Sequence, residues 1–160
     1  MSSSGNGNEG ANAGTQPRIQ IVGQYVKDLS FENPGSPGAI NQRPSIDLGV
    51  DLQAGRRDQE LFEVELKLRV TAKAEDKPIF LLELIYAGLF RVQNVPEDVL
   101  QQVLLVDGPY MLFPFARRIV ADVVRDGGMP PLMIEPIDFA ALYRARATQM
   151  QPGSEGVGVA

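Results

Sequence analysis

Three segments in the first half of the chain alternate apolar and polar residues, a pattern typical of β-strands with one buried face. Odd positions are mostly apolar in residues 18–32, even positions are apolar in residues 45–53, and residues 61–74 alternate along almost their whole length. The apolar positions are Ile19, Ile21, Tyr25, Leu29 and Phe31; Ile46, Leu48, Val50 and Leu52; and Phe62, Val64, Leu66, Leu68 and Val70. The second and third segments flank AGRRDQ at 54–59, so we expect a hairpin there.

A fourth segment, residues 78–90, is apolar on both sides. Its even positions Phe80, Leu82, Leu84 and Tyr86 suit a core-facing side. Its odd positions Ile79, Leu81 and Ile85 then point outwards beside Glu83. We therefore expect a strand that is apolar on both faces.

The second half of the chain shows the three-and-four spacing of helices. Residues 95–108 predict a short helix with Pro96 in its first turn and Gly108 as its stop. Residues 109–128 predict a longer helix that Pro114 kinks or begins and that Gly127 and Gly128 end. Residues 138–150 predict a third helix with Asp138 as its N-cap. Strands followed by helices indicate an α+β fold, a four-stranded antiparallel sheet with helices packed on one face.

Both ends of the chain contain few apolar side chains that could be buried in a core. Residues 1–16 are rich in Gly, Asn and Ser, and residues 151–160 are nearly as poor in apolar side chains. We interpret both as disordered tails around one folded domain at 17–150.

Composition narrows the classes of partner and the cellular location that we expect. The chain has 20 acidic and 15 basic residues, so we expect no nucleic-acid partner. No apolar run approaches the roughly 18 residues of a membrane span, and the N-terminus does not resemble a signal peptide. These features predict a cytoplasmic protein without direct membrane insertion.

Candidate catalytic chemistry is sparse. The chain has no His and no Cys, which removes the usual general base, the nucleophilic thiol and the common zinc ligands. Two acid pairs remain, Asp47 with Asp51 and Glu63 with Glu65, but acids that alternate on a sheet are more typical of solvated surface. We therefore expect no enzyme, no metal and no cofactor, while the sequence alone leaves a carboxylate enzyme open.

Two surfaces stand out. The outer sheet face is predicted to carry apolar Leu81 and Ile85 among the acids Asp28, Glu32, Asp47, Asp51, Glu63, Glu65 and Glu83. It is either a solvated face or a protein contact. The second surface is GMPPLMIEPIDF at 128–139, which is apolar although three prolines deny it regular structure. It either closes over the core or offers side chains such as Met129 and Met133 to varied partners.

Three motifs then identify a family. YVKDLSFENP at 25–34, LFPFARRIVADVV at 112–124 and GGMPPLMIEPIDFAALY at 127–143 together resemble SecB, the bacterial protein-export chaperone. The resemblance covers roughly residues 16–148. It implies an ATP-independent chaperone that binds unfolded preproteins and passes them to the SecA translocation motor. It also implies a homotetramer, a dimer of dimers.

The resemblance further implies two sets of site residues. The client groove of the family is walled by the crossover after strand one, by strand two, by the long helix and by the loop joining the helices. Client-binding positions are Phe31, Ile46, Leu48, Val50, Met129, Leu132, Met133, Ile134 and Ile137. SecA-binding positions are Asp28, Glu32, Leu81 and Glu83. The tail at 151–160 has a single acid, unlike the family tails that add a second SecA contact. An adaptor that binds one folded partner through the acidic face is the alternative.

Overall fold

The structure, a computed structural model, describes residues 16–39 and 41–149. The predicted tails, Gln16 apart, lie outside these residues. Four strands come first: β1 (Arg18–Glu32), β2 (Ser45–Arg56), β3 (Leu61–Ala74) and β4 (Lys77–Gln93). Three α-helices follow: α1 (Glu97–Gln102), α2 (Gly108–Asp126) and α3 (Phe139–Gln149).

The strands form one antiparallel sheet in the order β1-β4-β3-β2. Even positions of β3 face the helices and are all buried, from Phe62 to Ala72. They lie opposite the even positions of β4, from Phe90 to Phe80, so both central strands place apolar rows under α2. These findings confirm the α+β class, the β2–β3 hairpin and the four-stranded antiparallel sheet.

Strand β1 departs from simple alternation. Its register with β4 shifts between Ile21 and Gly23 and again between Val26 and Asp28. Each bulge reverses the side to which the following residues point. Tyr25 therefore lies on the outer face, where its hydroxyl bonds Glu63, and the prediction that it shares the face of Ile19 is wrong.

Ile79 of β4 also departs from the expected pattern. We expected it on the outer face, but only 2% of it is exposed. The register with β3 shifts nearby, between Ala72 and Lys73, and the segment after β1 crosses here. The Gly35 backbone N–H donates to the Ile79 carbonyl at 3.0 Å, so the crossing chain covers this end of the sheet.

The first two helices join end to end. A π-helical turn, Val103–Asp107, links α1 to α2, so Gly108 begins a helix instead of stopping one. Its lack of a side chain allows close packing, because a Cβ there would lie 3.2 Å from Val64. Pro114 lies inside α2, and Gly127 caps its end. The Asp138 carboxylate accepts from the Ala141 N–H at 3.0 Å, which confirms the predicted N-cap of α3.

By length and composition the continuous helix Glu97–Asp126 would also suit a membrane span, since its most apolar window has a mean hydropathy of 1.2. The sequence pattern did not lead us to expect this. Leu112, Ala116 and Val120 of this helix are fully buried against the sheet. That packing is typical of the core helix of a globular protein, which passes the same test.

Candidate functional site: two faces of one sheet

A row of apolar side chains crosses the helix-side face of the sheet. Phe31 of β1 lies opposite Leu82, Leu82 lies opposite Val70, and Val70 lies opposite Leu48 of β2. The two central residues are fully buried, whereas Leu48 is 38% exposed and Phe31 is half-buried. Three strand spacings separate the ends of this row, about 14 Å. Phe31 and Leu48 therefore lie at the two accessible ends of one apolar row whose middle is covered.

Strand β2 adds exposed apolar side chains along the sheet edge. Ile46, Leu48 and Val50 point to the helix side, and the first two are 39% and 38% exposed. Exposure falls to 6% at Leu52, where Arg146 of α3 donates to the Leu52 carbonyl at 2.8 Å. The helices thus cover one end of β2 and leave the other end open.

The loop joining α2 to α3, residues 127–138, runs back beside α2. It starts at the helix end, and it delivers Phe139 edge-on to Phe113 with ring centroids 6.1 Å apart. At 1.5 Å per helical residue, this path follows α2 for about 20 Å. Its prolines have no N–H groups to leave unpaired, so the loop needs little regular hydrogen bonding.

The loop is only partly accessible. Met133 is 62% exposed, and Leu132 and Ile137 are half-buried. Met129 and Ile134 are 8% exposed and belong to the core cluster. Both are predicted client-binding positions, but in this structure they are covered. They anchor the loop on the core, and the others remain available at its surface.

The outer face carries the second predicted set. Glu32 lies opposite Leu81, Ser30 lies opposite Glu83, and Asp28 lies opposite Ile85. The structure thus places Asp28, Glu32, Leu81 and Glu83 together on two neighbouring strands. Asp28 and Glu32 are exposed, whereas Glu83 is half-buried and pairs with Arg69 at 3.2 Å. This surface combines aliphatic side chains with carboxylates, and one of those carboxylates is already neutralised.

Glu63 is an acid whose burial the sequence pattern did not indicate. It is 8% exposed, although its alternation with apolar residues indicated a solvated acid. Lys27 donates to its carboxylate at 2.8 Å and Arg57 donates at 2.5 Å, and the Tyr25 hydroxyl bonds it too. The hydrogen bond from Lys27, followed by those from Tyr25 and Arg57, lowers the pKa of Glu63 to about 2. No local signal reveals this cluster, because its partners come from β1 and from the turn after β2.

The same cluster bears on the candidate acid pairs. Glu63 is held ionised by cations, so it has no proton to give as a general acid near neutral pH. Glu65 bonds Lys27, and Asp47 and Asp51 are exposed on the edge strand. Within the described ranges, no three His, Cys, Asp or Glu side chains lie close enough to hold a metal ion.

Comparison with known proteins fits this arrangement. The family model described as preprotein translocase subunit SecB matches residues 12–150. A protein-export protein SecB of Parvibaculum lavamentivorans is 53% identical over 146 residues, which cover 89% of this chain and 87% of that protein. Its counterpart in Hyphomonas neptunium is 48% identical, with 97% and 96% covered.

A solved structure supports the same fold. The SecB-like chaperone of Mycobacterium tuberculosis, in complex with a ChAD peptide from an antitoxin, superposes with a TM-score of 0.64 at 18% identity. The likeness covers 75% of this chain and 91% of that one. At this identity the structural likeness shows the fold alone. The family match and the two relatives, in contrast, span most of the sequence. The chain therefore belongs to the SecB family of preprotein translocase subunits.

Proposed function

We propose that the protein is an ATP-independent, non-catalytic chaperone of the cytoplasm that holds unfolded preproteins and delivers them to SecA. The observation that carries this proposal is the uncovered apolar surface on the helix side of the sheet. Ile46, Leu48 and Met133 are large, apolar and more than one third exposed. Such surface on a protein with a well-formed core favours a binding role.

An irregular, proline-containing loop suits clients that share no sequence. Each client side chain buried against Leu48, Leu132 or Met133 gains about 1.5 to 3 kcal/mol, but ordering an unfolded chain removes much of this gain. A single site is therefore weak. A long client that engages several subunits of a homotetramer, a dimer of dimers, gains apparent affinity through effective concentration.

The SecA contact is proposed for the opposite sheet face, at Asp28, Glu32, Leu81 and Glu83. Carboxylates around Leu81 suit a partner that brings basic groups and an apolar anchor. Adjacent strand residues point to opposite faces, so Phe31 faces the client side and Glu32 the SecA side. A client and SecA can then be held at once, which delivery requires.

Two variants test the separation of these surfaces. Leu132→Glu places a charge among apolar groups and should weaken binding of a long, urea-unfolded preprotein about tenfold or more. Asp28→Lys should weaken SecA binding about three- to tenfold, less so at high salt because exposed charges are screened. Titration calorimetry of each variant against both ligands gives the four affinities.

Each variant serves as the control for the other. Asp28 is preferred to Glu83, since Glu83→Lys would also break the ion pair with Arg69. A short segment of the preprotein should bind weakly even to the parent. If Leu132→Glu captured the long chain as well as the parent does, the loop would serve only to cover the core. If either variant lost affinity for the preprotein and for SecA equally, the two binding surfaces would not be separate.

A further inference from the structure

The segment after β1 meets the end of α2 at a junction between a side chain and the backbone. The Asn33 side-chain amide donates to the Gly127 carbonyl at 2.9 Å. The Ser36 hydroxyl donates to the Asn33 side-chain oxygen at 3.1 Å. The last carbonyls of a helix lack partners within it, so Asn33 satisfies a group that α2 leaves open. Ninety-four residues of sequence separate the two ends of this bond.

Close packing reinforces the same junction. A Cβ on Gly127 would lie 2.7 Å from the Phe31 ring, so the ring rests directly on the glycine backbone. On its other side Phe31 packs against Phe80, with ring centroids 5.7 Å apart. Asn33 thus contacts the carbonyl of Gly127, and the Phe31 ring contacts the Cα of the same residue.

Gly127 is also where the client-binding loop begins. Gly128 follows with a φ of +89°, and the Gly128 and Met129 amides bond the carbonyls of Arg125 at 3.0 Å and Val124 at 3.3 Å. These bonds turn the chain back along α2. Any shift of Gly127 therefore moves both the Phe31 ring and the first residues of the loop.

We propose that Asn33 is a positioning residue for client binding, because its bond to Gly127 fixes the loop start against Phe31 and closes this end of the client surface. The inference rests on the proposed function, which it extends to a residue outside the client-contact set. Neither Asn33 nor Ser36 is among the predicted client-binding positions. Both act by holding two walls of the surface, the segment after β1 and the loop, at a fixed separation.

Asn33→Asp removes the shorter of the two side-chain contacts to the Gly127 carbonyl, the other being the Ser36 hydroxyl at 3.5 Å. The substituted carboxylate still accepts from Ser36, but it has no N–H to donate and it faces the Gly127 carbonyl. We expect the dissociation constant for a urea-unfolded preprotein to rise about fivefold, the effect of one net hydrogen bond. We also expect faster hydrogen exchange at the Gly128 and Met129 amides, measured by mass spectrometry without any client.

Two further variants control for the added charge. Gln20→Glu makes the same amide-to-carboxylate change at an exposed outer-face position at the far end of β1, and it should alter neither readout. Asn33→Ala removes the donor without adding a charge, and it should shift both readouts in the same direction as Asn33→Asp. Circular dichroism and native mass must match the parent for each variant.

The outcomes separate the two proposals. Faster exchange with weaker preprotein binding supports the positioning role. Unchanged exchange, or faster exchange with unchanged binding, overturns it and leaves the chaperone function standing. If the parent itself fails to bind the unfolded preprotein, the proposed function is wrong and the positioning role falls with it.

Discussion

At the scale of single residues, the buried carboxylate of Glu63 holds part of the outer sheet face in place. It is the buried acid of the described core, and it joins Lys27 of β1 to Arg57 in the turn after β2. Tyr25 and Lys27 reach it across β4, where Ala87 lies opposite Tyr25. The cluster therefore ties the bulged part of the edge strand β1 to the centre of the sheet.

Glu63→Gln should lower the free energy of unfolding by about 1 to 3 kcal/mol at pH 7, since hydrogen bonds to a charged group are lost. The pKa of Glu63 is lowered from 4.5 to about 2 on folding, so its stabilisation is present above pH 4.5 and is lost as the pH falls towards 2. The difference between parent and variant should shrink across that window. Urea unfolding at fixed protein concentration measures it.

Glu32→Gln, at an exposed position of the same sheet, is the control and should change stability by less than about 0.5 kcal/mol. A parent–variant difference for Glu63→Gln that stayed constant down to pH 2 would show that the carboxylate charge is not the cause.

At the scale of elements, the contact between α2 and the sheet depends on a missing side chain. Gly88 of β4 lies under α2, and a Cβ there would meet the Phe90 ring at 2.7 Å and Leu112 at 2.8 Å. Phe90 and Leu112 are both fully buried, so neither has free space into which it can move. The helix therefore sits as close to the sheet as Gly88 permits.

Gly88→Ala should destabilise the fold by about 1 to 3 kcal/mol through overpacking, as measured by urea unfolding. Gly55→Ala in β2 is the matched control, because a Cβ there would meet nothing within 4 Å. We expect the control to change stability by less than about 0.5 kcal/mol. Equal destabilisation by both substitutions would mean that the helix–sheet spacing does not depend on the missing side chain at Gly88.

At the scale of the whole molecule, one chain leaves apolar surface that its own core does not cover. Val22, Val26 and Leu29 of β1 are 47%, 46% and 42% exposed. Val26 lies opposite Tyr86, on which Phe115 of α2 stacks at 6.4 Å, and Phe115 is itself 41% exposed. Exposed apolar side chains of this kind favour a subunit contact, for which the resemblance implies four copies.

Light scattering at micromolar concentration should give about four times the 17.4 kDa of one chain. Val26→Glu should shift the mass towards smaller species, because it places a charge in the proposed contact. Ser30→Glu, on the same strand but the opposite face, should leave the mass unchanged. Finding only monomer in the parent would contradict the tetramer.

Much of the architecture is determined by the sequence alone. Alternation in β3 allows only one assignment of faces, since a slip of one residue would bury its charges. Alternation in β1 and β4 placed Asp28, Glu32, Leu81 and Glu83 on one outer face, and three motifs indicated the family. What these residues bind remains a prediction, because affinity depends on a partner that one sequence does not contain.

Only the tertiary structure decided the remaining features. The bulges of β1 turn Tyr25 to the outer face, and Glu63 is buried by partners from other strands. Met129 and Ile134 anchor a loop for which the sequence left open whether it covers the core or faces partners. Each outcome depends on contacts between residues far apart in the chain. Local periodicity reports which side chains prefer burial, but the neighbour that buries them is chosen only when the strands and helices pack.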